Sequence, residues 1–228
     1  MEVFELELKV FLRRDIKRKY ASEKLANFIS SYMATKNDFL EFHNSKQYKG
    51  YTLDTLKPLE RDIYRAENNY TFSIRTVDVS FINFLLEGME DYSNEDFKSL
   101  IYKVKKIKKA HLNKLYSLNP VIIKDDGYWR SNKKSIDFFE KRICENAFKK
   151  YKKFYNKELA ESKFYSNIVF TNEKPVGFSY KNVTLLGDKV ELEIKDDPIS
   201  QEIAYMLIGT GIGENNSQGC GFVSYKYL

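Results

Sequence analysis

The stretch Gly209-Thr-Gly211-Ile-Gly213-Glu-Asn-Asn-Ser-Gln-Gly219-Cys-Gly221-Phe222 most constrains what this chain can fold into. Five of the ten glycines fall between 209 and 221. Glycine at that density marks backbone that takes positive φ or approaches another backbone closely. Val223-Ser-Tyr225-Lys-Tyr227 follows at once, alternating aromatic and β-branched residues with polar ones in the manner of a strand. A turn delivered straight into such a strand is built structure, not a flexible tail.

The rest of the chain alternates between the two periodicities that define strands and helices. Residues 3–12 place Val3, Phe4, Leu6, Leu8, Val10 and Leu12 among Glu and Lys, a half-buried strand. Leu25, Phe28, Ile29, Tyr32 and Met33 recur at helical spacing, with Ser22 as the expected N-cap. Short strands are predicted at Tyr51–Leu56 and Tyr70–Val77, a helix over Val79–Met89, and one long basic strand over 101–116. The order β-α-β-β-α-β is the ferredoxin-like pattern.

It then begins again. Asn119-Pro120-Val-Ile-Ile123 reads as an apolar strand start and Ile136–Phe154 as a strong helix. Strands follow near 165–171, 176–186 and 188–195, then a helix over Pro198–Leu207 and a strand at 221–227. The fold class is therefore α+β, two tandem ferredoxin-like (RRM-like) units, each a four-stranded antiparallel sheet with two helices. The expected division is 1–117 and 118–228, and no Gly/Ser-rich linker separates the halves.

Composition supports a cored, basic protein. The 228 residues are 43% hydrophobic and carry a net charge of +6, with 17 Tyr and 17 Phe. A mild basic excess is compatible with a polyanionic partner without establishing one. Cys144 and Cys220 are too few and too far apart for a disulfide framework, which points to a reducing, cytoplasmic compartment. No signal-peptide pattern and no membrane-length apolar run appears, so a soluble protein without a membrane partner is expected.

Several chemistries fail on spacing. Two Cys and two His are scattered without CxxC or HxxxH spacing, and no acidic cluster suits a two-metal nuclease, so neither metal nor cofactor is expected. There is no Gly-x-Ser-x-Gly elbow and no P-loop. Gly209-x-Gly211-x-Gly213 follows no first strand and opens no helix, so it is not a dinucleotide fingerprint. His43 stands out in Leu40-Glu-Phe42-His43-Asn-Ser-Lys46-Gln-Tyr48-Lys49-Gly50-Tyr51, a polar segment between a helix and a strand. An imidazole there suits proton transfer near neutral pH, and the adjacent lysines suit stabilisation of developing negative charge. A plain surface histidine is the alternative. His111, in the basic strand, reads as structural or solvent-facing. The lysines of 103–114 and 149–157, including Lys149 and Lys153, are candidates for tracking phosphates, or else a solvated face. The glycine segment is either a closing turn or a set of exposed N–H groups for phosphates, from Gly211, Gly213, Gly219 and Gly221.

Tandem ferredoxin-like units with a C-terminal G-x-G-(x)5-G-x-G-aromatic loop resemble the RAMP superfamily of CRISPR proteins. Here the motif is Gly211-Ile-Gly213, five residues, then Gly219-Cys-Gly221-Phe222. Within it the chain looks most like the CRISPR repeat-processing endoribonuclease, Cas family six. The histidine after the first helix, Tyr51-Thr-Leu behind it, Asn119-Pro-Val-Ile-Ile and the helical leader Ile203–Gly211 add to the likeness. The resemblance implies metal-independent cleavage of CRISPR repeat RNA, in which the 2′-hydroxyl attacks the adjacent phosphate. The products would be a 2′,3′-cyclic phosphate and a 5′-hydroxyl. It carries over His43 as general base or acid and Lys49, six positions later, as the assisting lysine. Lys46 is the alternative lysine and an RNA-binding candidate. Tyr32 is the best match for the family's tyrosine and Tyr48 the fallback, although Tyr32 also sits on an apolar helix face. A non-catalytic RNA-binding RAMP subunit of a CRISPR effector complex shares the fold and the loop, and is the alternative. Other CRISPR effector subunits are further candidate partners, and monomer and homodimer both stay open.

Overall fold

A computed structural model describes residues 1–36, 39, 48–160, 162–181 and 183–228. In chain order the strands of the first half are β1 (Val3–Leu12), β2 (Ile16–Lys17), β3 (Tyr51–Leu53), β4 (Ile63–Tyr64), β5 (Asn69–Thr76) and β6 (Phe97–Ile107). Its helices are α1 (Ala21–Met33) and α2 (Val79–Leu86). The second half holds β7 (Leu112–Ser117), α3 (Ile136–Tyr155), β8 (Tyr165–Phe170), β9 (Val176–Tyr180), β10 (Val183–Gly187), β11 (Val190–Ile194), α4 (Pro198–Thr210) and β12 (Val223–Tyr227).

Two antiparallel four-stranded sheets result, ordered β3-β5-β1-β6 and β12-β7-β11-β8. In each, the unit's first strand lies between its third and fourth, and the second strand is at an edge. Both halves are thus ferredoxin-like units. The first adds a small β2–β4 ladder and the second a β9–β10 hairpin. In β1 the pleat sends Leu6, Leu8, Val10 and Leu12 into a core with Leu25, Phe28, Ile29 and Met33 of α1. Burying each of these large side chains is worth about 1.5–3 kcal/mol.

Five expectations are corrected. Ser22 is not the N-cap of α1. A 3-10 turn over Arg18–Tyr20 runs straight into the helix, and Tyr20 takes the cap position. The basic segment 101–116 is not one strand. β6 ends at Ile107, and Gln201 takes up both backbone groups of Leu112 as β7 begins, donating to its carbonyl at 2.9 Å and accepting from its N–H at 2.8 Å. With β7 in the second sheet, the chain passes between the units across Lys108–His111, ahead of the expected division at 117/118. The single strand expected at 176–186 is a hairpin, turned at Lys181 with φ 45°. Finally, Asn119–Ile123 makes only isolated bridges, Val121 with Asp188 and Ile122 with Glu214.

The units share a core. Val3, Val77 and Ile107 of the first pack into the same cluster as α3 and α4 of the second. The Tyr205 hydroxyl on α4 accepts from the Val3 N–H at 3.2 Å and donates to the Ile107 carbonyl at 2.7 Å. Arg75 on β5 reaches across to the Val223 carbonyl at 2.5 Å while pairing with Glu5 at 2.5 Å. Among the described residues no helix is long and apolar enough to cross a membrane.

Candidate functional site

The glycine segment leaves α4 at Gly211, turns back through a 3-10 turn at Asn216–Gln218, and returns to β12 at Gly221. Two positions require glycine most plainly. Gly211 has φ 75°, and a Cβ there would lie 2.6 Å from Asn216 Nδ2. Gly221 has φ 64°, and a Cβ would lie 1.9 Å from the Ile212 carbonyl oxygen. These are close approaches of one limb of the loop to the other.

The loop's backbone is largely spent on itself and on Pro120–Ile122. Ile212 N–H donates to Gly221 O at 2.9 Å, Glu214 N–H to Ile122 O at 2.9 Å, Gly219 N–H to Asn216 O at 2.9 Å and Gly221 N–H to Pro120 O at 2.9 Å. Gly211 N–H donates to Leu207 O at 2.8 Å. Gly211, Gly213, Gly219 and Gly221 are all buried. The picture of these glycines as an exposed N–H cradle therefore gives way to one in which they shape the loop. Glu214, Asn215, Ser217 and Gln218 form its surface. The apolar run Val121–Ile122 is the wall on which the loop is laid.

One lysine of the 149–157 group, expected to track phosphates or face solvent, lies instead inside the loop. Lys150 on α3 is 2% exposed, and its ammonium donates to Gly211 O at 2.8 Å, Gly213 O at 2.9 Å and Asn216 Oδ1 at 2.6 Å. Asn216 in turn donates to Ile212 O at 2.9 Å and Cys220 O at 3.0 Å. Three acceptors match the three N–H bonds of an ammonium, whereas a neutral amine would turn its lone pair on one of them. Burial nevertheless lowers the Lys150 pKa to about 7, with Glu214 opposing that shift. Helical phase was the available signal: 150 lies three residues after Ala147 and seven after Ile143, on the buried stripe of α3.

Between this loop, α1, α3, the Tyr48–Tyr51 segment and the tip of the β9–β10 hairpin lies a cleft of about 630 Å³. Lys49, Lys124, Arg142, Lys149, Lys150 and Lys181 line it, against Glu23, Glu145 and Glu214. Arg142 pairs with Glu214 at 3.1 Å and Glu145 at 3.3 Å, and Lys124 approaches Glu214 at 3.7 Å. Among the described residues two of the three lining carboxylates, Glu145 and Glu214, are thus already paired. Among the described residues neither Lys149 nor Lys181 has a carboxylate within ion-pair distance.

Of the expected residues, Lys49 and Lys149 line the cleft. Burial, and then the charge of Lys153, hold the Lys49 pKa below its ordinary value. Lys153 is exposed, outside the cleft lining, and donates to the Tyr48 carbonyl at 2.7 Å. Burial lowers its pKa as well, with Asp78 opposing. Tyr48 lines the cleft, and its hydroxyl accepts from Asn146 Nδ2 at 3.2 Å. Burial, then Glu214, raise its pKa, so it keeps its proton. Tyr32 is elsewhere. It is 5% exposed, packs on Phe84 with ring centroids 4.6 Å apart, and donates its hydroxyl to Phe84 O at 3.0 Å. The helix stripe that placed it in the core prevails. His43 and Lys46 lie outside the described residues. His111 pairs with Asp196 at 2.9 Å in an exposed position. The strand lysines are mostly matched: Lys105 with Glu5, Lys106 with Glu2, Lys109 with Glu202 and Lys114 with Glu191.

With this geometry in hand, similarity to known proteins is specific. A family model described as CRISPR associated protein Cas6, C-terminal, matches residues 103–225, more than half of the chain. A CRISPR-associated endoribonuclease Cas6 2 of Methanocaldococcus jannaschii is 26% identical, covering 90% of this chain and 92% of that protein. Among solved structures, a CRISPR associated protein Cas6 shares the fold with a TM-score of 0.72 at 19% identity, over 98% of this chain and 99% of that one. A RAMP protein described as binding different RNA substrates follows, with a TM-score of 0.71 at 16% identity over 98% and 99%. The family match runs through α3, Lys150 and the glycine loop, which line the cleft, and the chain belongs to the Cas6 family of CRISPR-associated proteins.

Proposed function

We propose that this chain is an endoribonuclease that cleaves CRISPR repeat RNA at the cleft beside the glycine loop. The observation that carries the reading is the convergence there of Lys49, Lys149 and Lys181 with Tyr48 and the loop surface, in a member of the Cas6 family. Cations in a partly enclosed cleft attract a phosphodiester chain, and they act more strongly there than in open water.

The reaction is transesterification within the RNA. A base removes the proton of the 2′-hydroxyl, whose oxygen bonds to the neighbouring phosphorus. The bond from phosphorus to the 5′-oxygen breaks, and an acid protonates that oxygen. The products are a 2′,3′-cyclic phosphate and a 5′-hydroxyl, and no metal is required. His43, five positions before the cleft residue Tyr48, serves as base or acid. Lys49 stabilises the charge that develops on the phosphorane oxygens. Tyr48, held protonated, donates a hydrogen bond into the cleft and takes the place first expected of Tyr32. Lys153 fixes the backbone that presents Tyr48 and Lys49.

Incubating the protein with its cognate repeat RNA in EDTA tests reaction class and metal independence together. The expected products carry the cyclic phosphate; strict dependence on Mg²⁺ sinks the mechanism. His43→Ala is expected to retain repeat binding and lose cleavage by a factor of about 10²–10⁴, the usual share of general acid–base catalysis. Unchanged cleavage by that variant removes His43 from the reaction.

A further inference from the structure

We propose that Lys17, Lys19 and Arg61, with the exposed ring of Tyr20, form a second RNA-contact platform that holds a single-stranded flank of the RNA bound in the cleft. The proposal rests on the RNA reading of the cleft.

The platform is a built surface. β2 and β4 pair Lys17 with Ile63, and Arg18 N–H donates to Asp62 O at 2.8 Å, which fixes 16–18 against 62–64. Lys17, Arg18, Lys19 and Arg61 are exposed around a shallow hollow in which Asp62 is the one carboxylate among the described residues. Within the same unit Arg14, Lys24, Lys36, Lys57 and Arg65 sit in ion pairs. Among the described residues none of the four platform cations has a carboxylate within ion-pair distance. Tyr20 is 40% exposed beside them, with the Lys19 ammonium 4.8 Å from its ring centroid. Unmatched cations around an accessible aromatic ring are what a single strand uses: phosphates on the charges and a base on the ring.

Position ties the platform to the cleft. Tyr20 precedes Glu23, a cleft residue on α1, by three positions, about 5 Å along the axis. Gly219 of the loop sits against Ser22, a Cβ there lying 3.4 Å from the Ser22 Cβ. The Arg18–Tyr20 turn also packs beside β9, whose far end, Tyr180, lines the cleft. A strand leaving the cleft over the glycine loop therefore meets the platform next.

The test uses the full chain, Lys17→Gln/Lys19→Gln/Arg61→Gln against the parent, with repeat RNA carrying a 2′-deoxyribose at the mapped cleavage linkage. Binding is measured as a function of salt by fluorescence anisotropy. Each phosphate contact to single-stranded RNA contributes about 0.7 to the log–log salt slope, so three lost contacts flatten it by about 2. Affinity at low salt is expected to fall about tenfold or more, with the melting temperature unchanged because all three side chains are exposed. On repeats shortened to one side or the other of the cleavage linkage, the deficit is expected to vanish for one and persist for the other, which identifies the flank. A salt slope equal to the parent's overturns the platform, as does an equal deficit on both shortened RNAs, the mark of a diffuse field. A parent that does not bind the repeat overturns the RNA reading first and the platform with it.

Discussion

Lys150 buries its terminal nitrogen, and the glycine loop is wrapped around it. Its three acceptors are two carbonyls of the loop and the Asn216 side chain, so the loop's shape and the lysine's satisfaction are one arrangement. Lys150→Met keeps the aliphatic stem but orphans those acceptors, and an unsatisfied buried group costs about 1–3 kcal/mol. Denaturant unfolding is the measurement, and accelerated hydrogen exchange at the Ile212 and Glu214 amides is expected to localise the loss. The pH dependence has a fixed sign. Between about 7 and the ordinary lysine value of 10.5 the folded chain binds fewer protons at this site than the unfolded chain. Stability from this group therefore rises with pH across that window. The deficit of the Met variant is expected to be larger at the alkaline end of the window than at the neutral end; a constant or shrinking deficit contradicts the lowered pKa.

At the scale of elements, α4 illustrates how a cap written in sequence acts in the structure. Asp197 accepts from the Ser200 N–H at 3.0 Å and from its hydroxyl at 2.6 Å, with Pro198 opening the first turn. Asp197→Ala is expected to cost about 1 kcal/mol in urea unfolding. The Ser200 hydrogen bonds hold the Asp197 pKa below its ordinary 3.8, so its contribution is present above that value and lost as pH falls through the folded pKa. The gap between parent and variant should therefore close in acid. Elements with one buried face, such as β1, α1 and α3, were legible because burial imposes a period. The break between β6 and β7 was not, because alternating lysines continue across it and mark exposure in either sheet. Asn119–Ile123 looked like a strand because both sides are covered, one by the glycine loop and one by Asp188, and an apolar run does not say by what. The candidate site was legible in the same uneven way. Lys49 was marked by its place beside His43 and by the family resemblance, Tyr48 by the resemblance alone, and Tyr32's helix stripe already spoke for the core. Lys150 was grouped with the phosphate-tracking or solvated lysines of 149–157 because a lysine reads as surface even when its helical phase does not.

For the whole molecule, the question is what makes two ferredoxin-like units behave as one. Coupling has a polar part and an apolar part. Arg75 is the polar part: it pairs with Glu5, donates to the Val223 carbonyl, and lies 4.4 Å from the Phe222 ring centroid. Arg75→Met leaves Glu5 with Lys105 at 2.8 Å as its remaining cation, so the cost falls short of the ~3–5 kcal/mol of a buried charge left without a partner. The apolar part is the seat of α4 on Val3 and Val77, where Gly209 lets the helix approach; a Cβ there would lie 2.8 Å from Val77 Cγ1. Trp129, buried in the second unit's core, is the sole tryptophan and so reports that unit alone, while far-ultraviolet circular dichroism reports both. In Arg75→Met the two signals are expected to shift together to lower denaturant, because the shared apolar core still joins the units. In Gly209→Leu the side chain wedges between α4 and the first sheet, and the two transitions are expected to separate, the sign that one cooperative unit has become two. Coincident transitions in Gly209→Leu would mean that the polar clasp alone suffices, and separated transitions in Arg75→Met that the apolar seat does not.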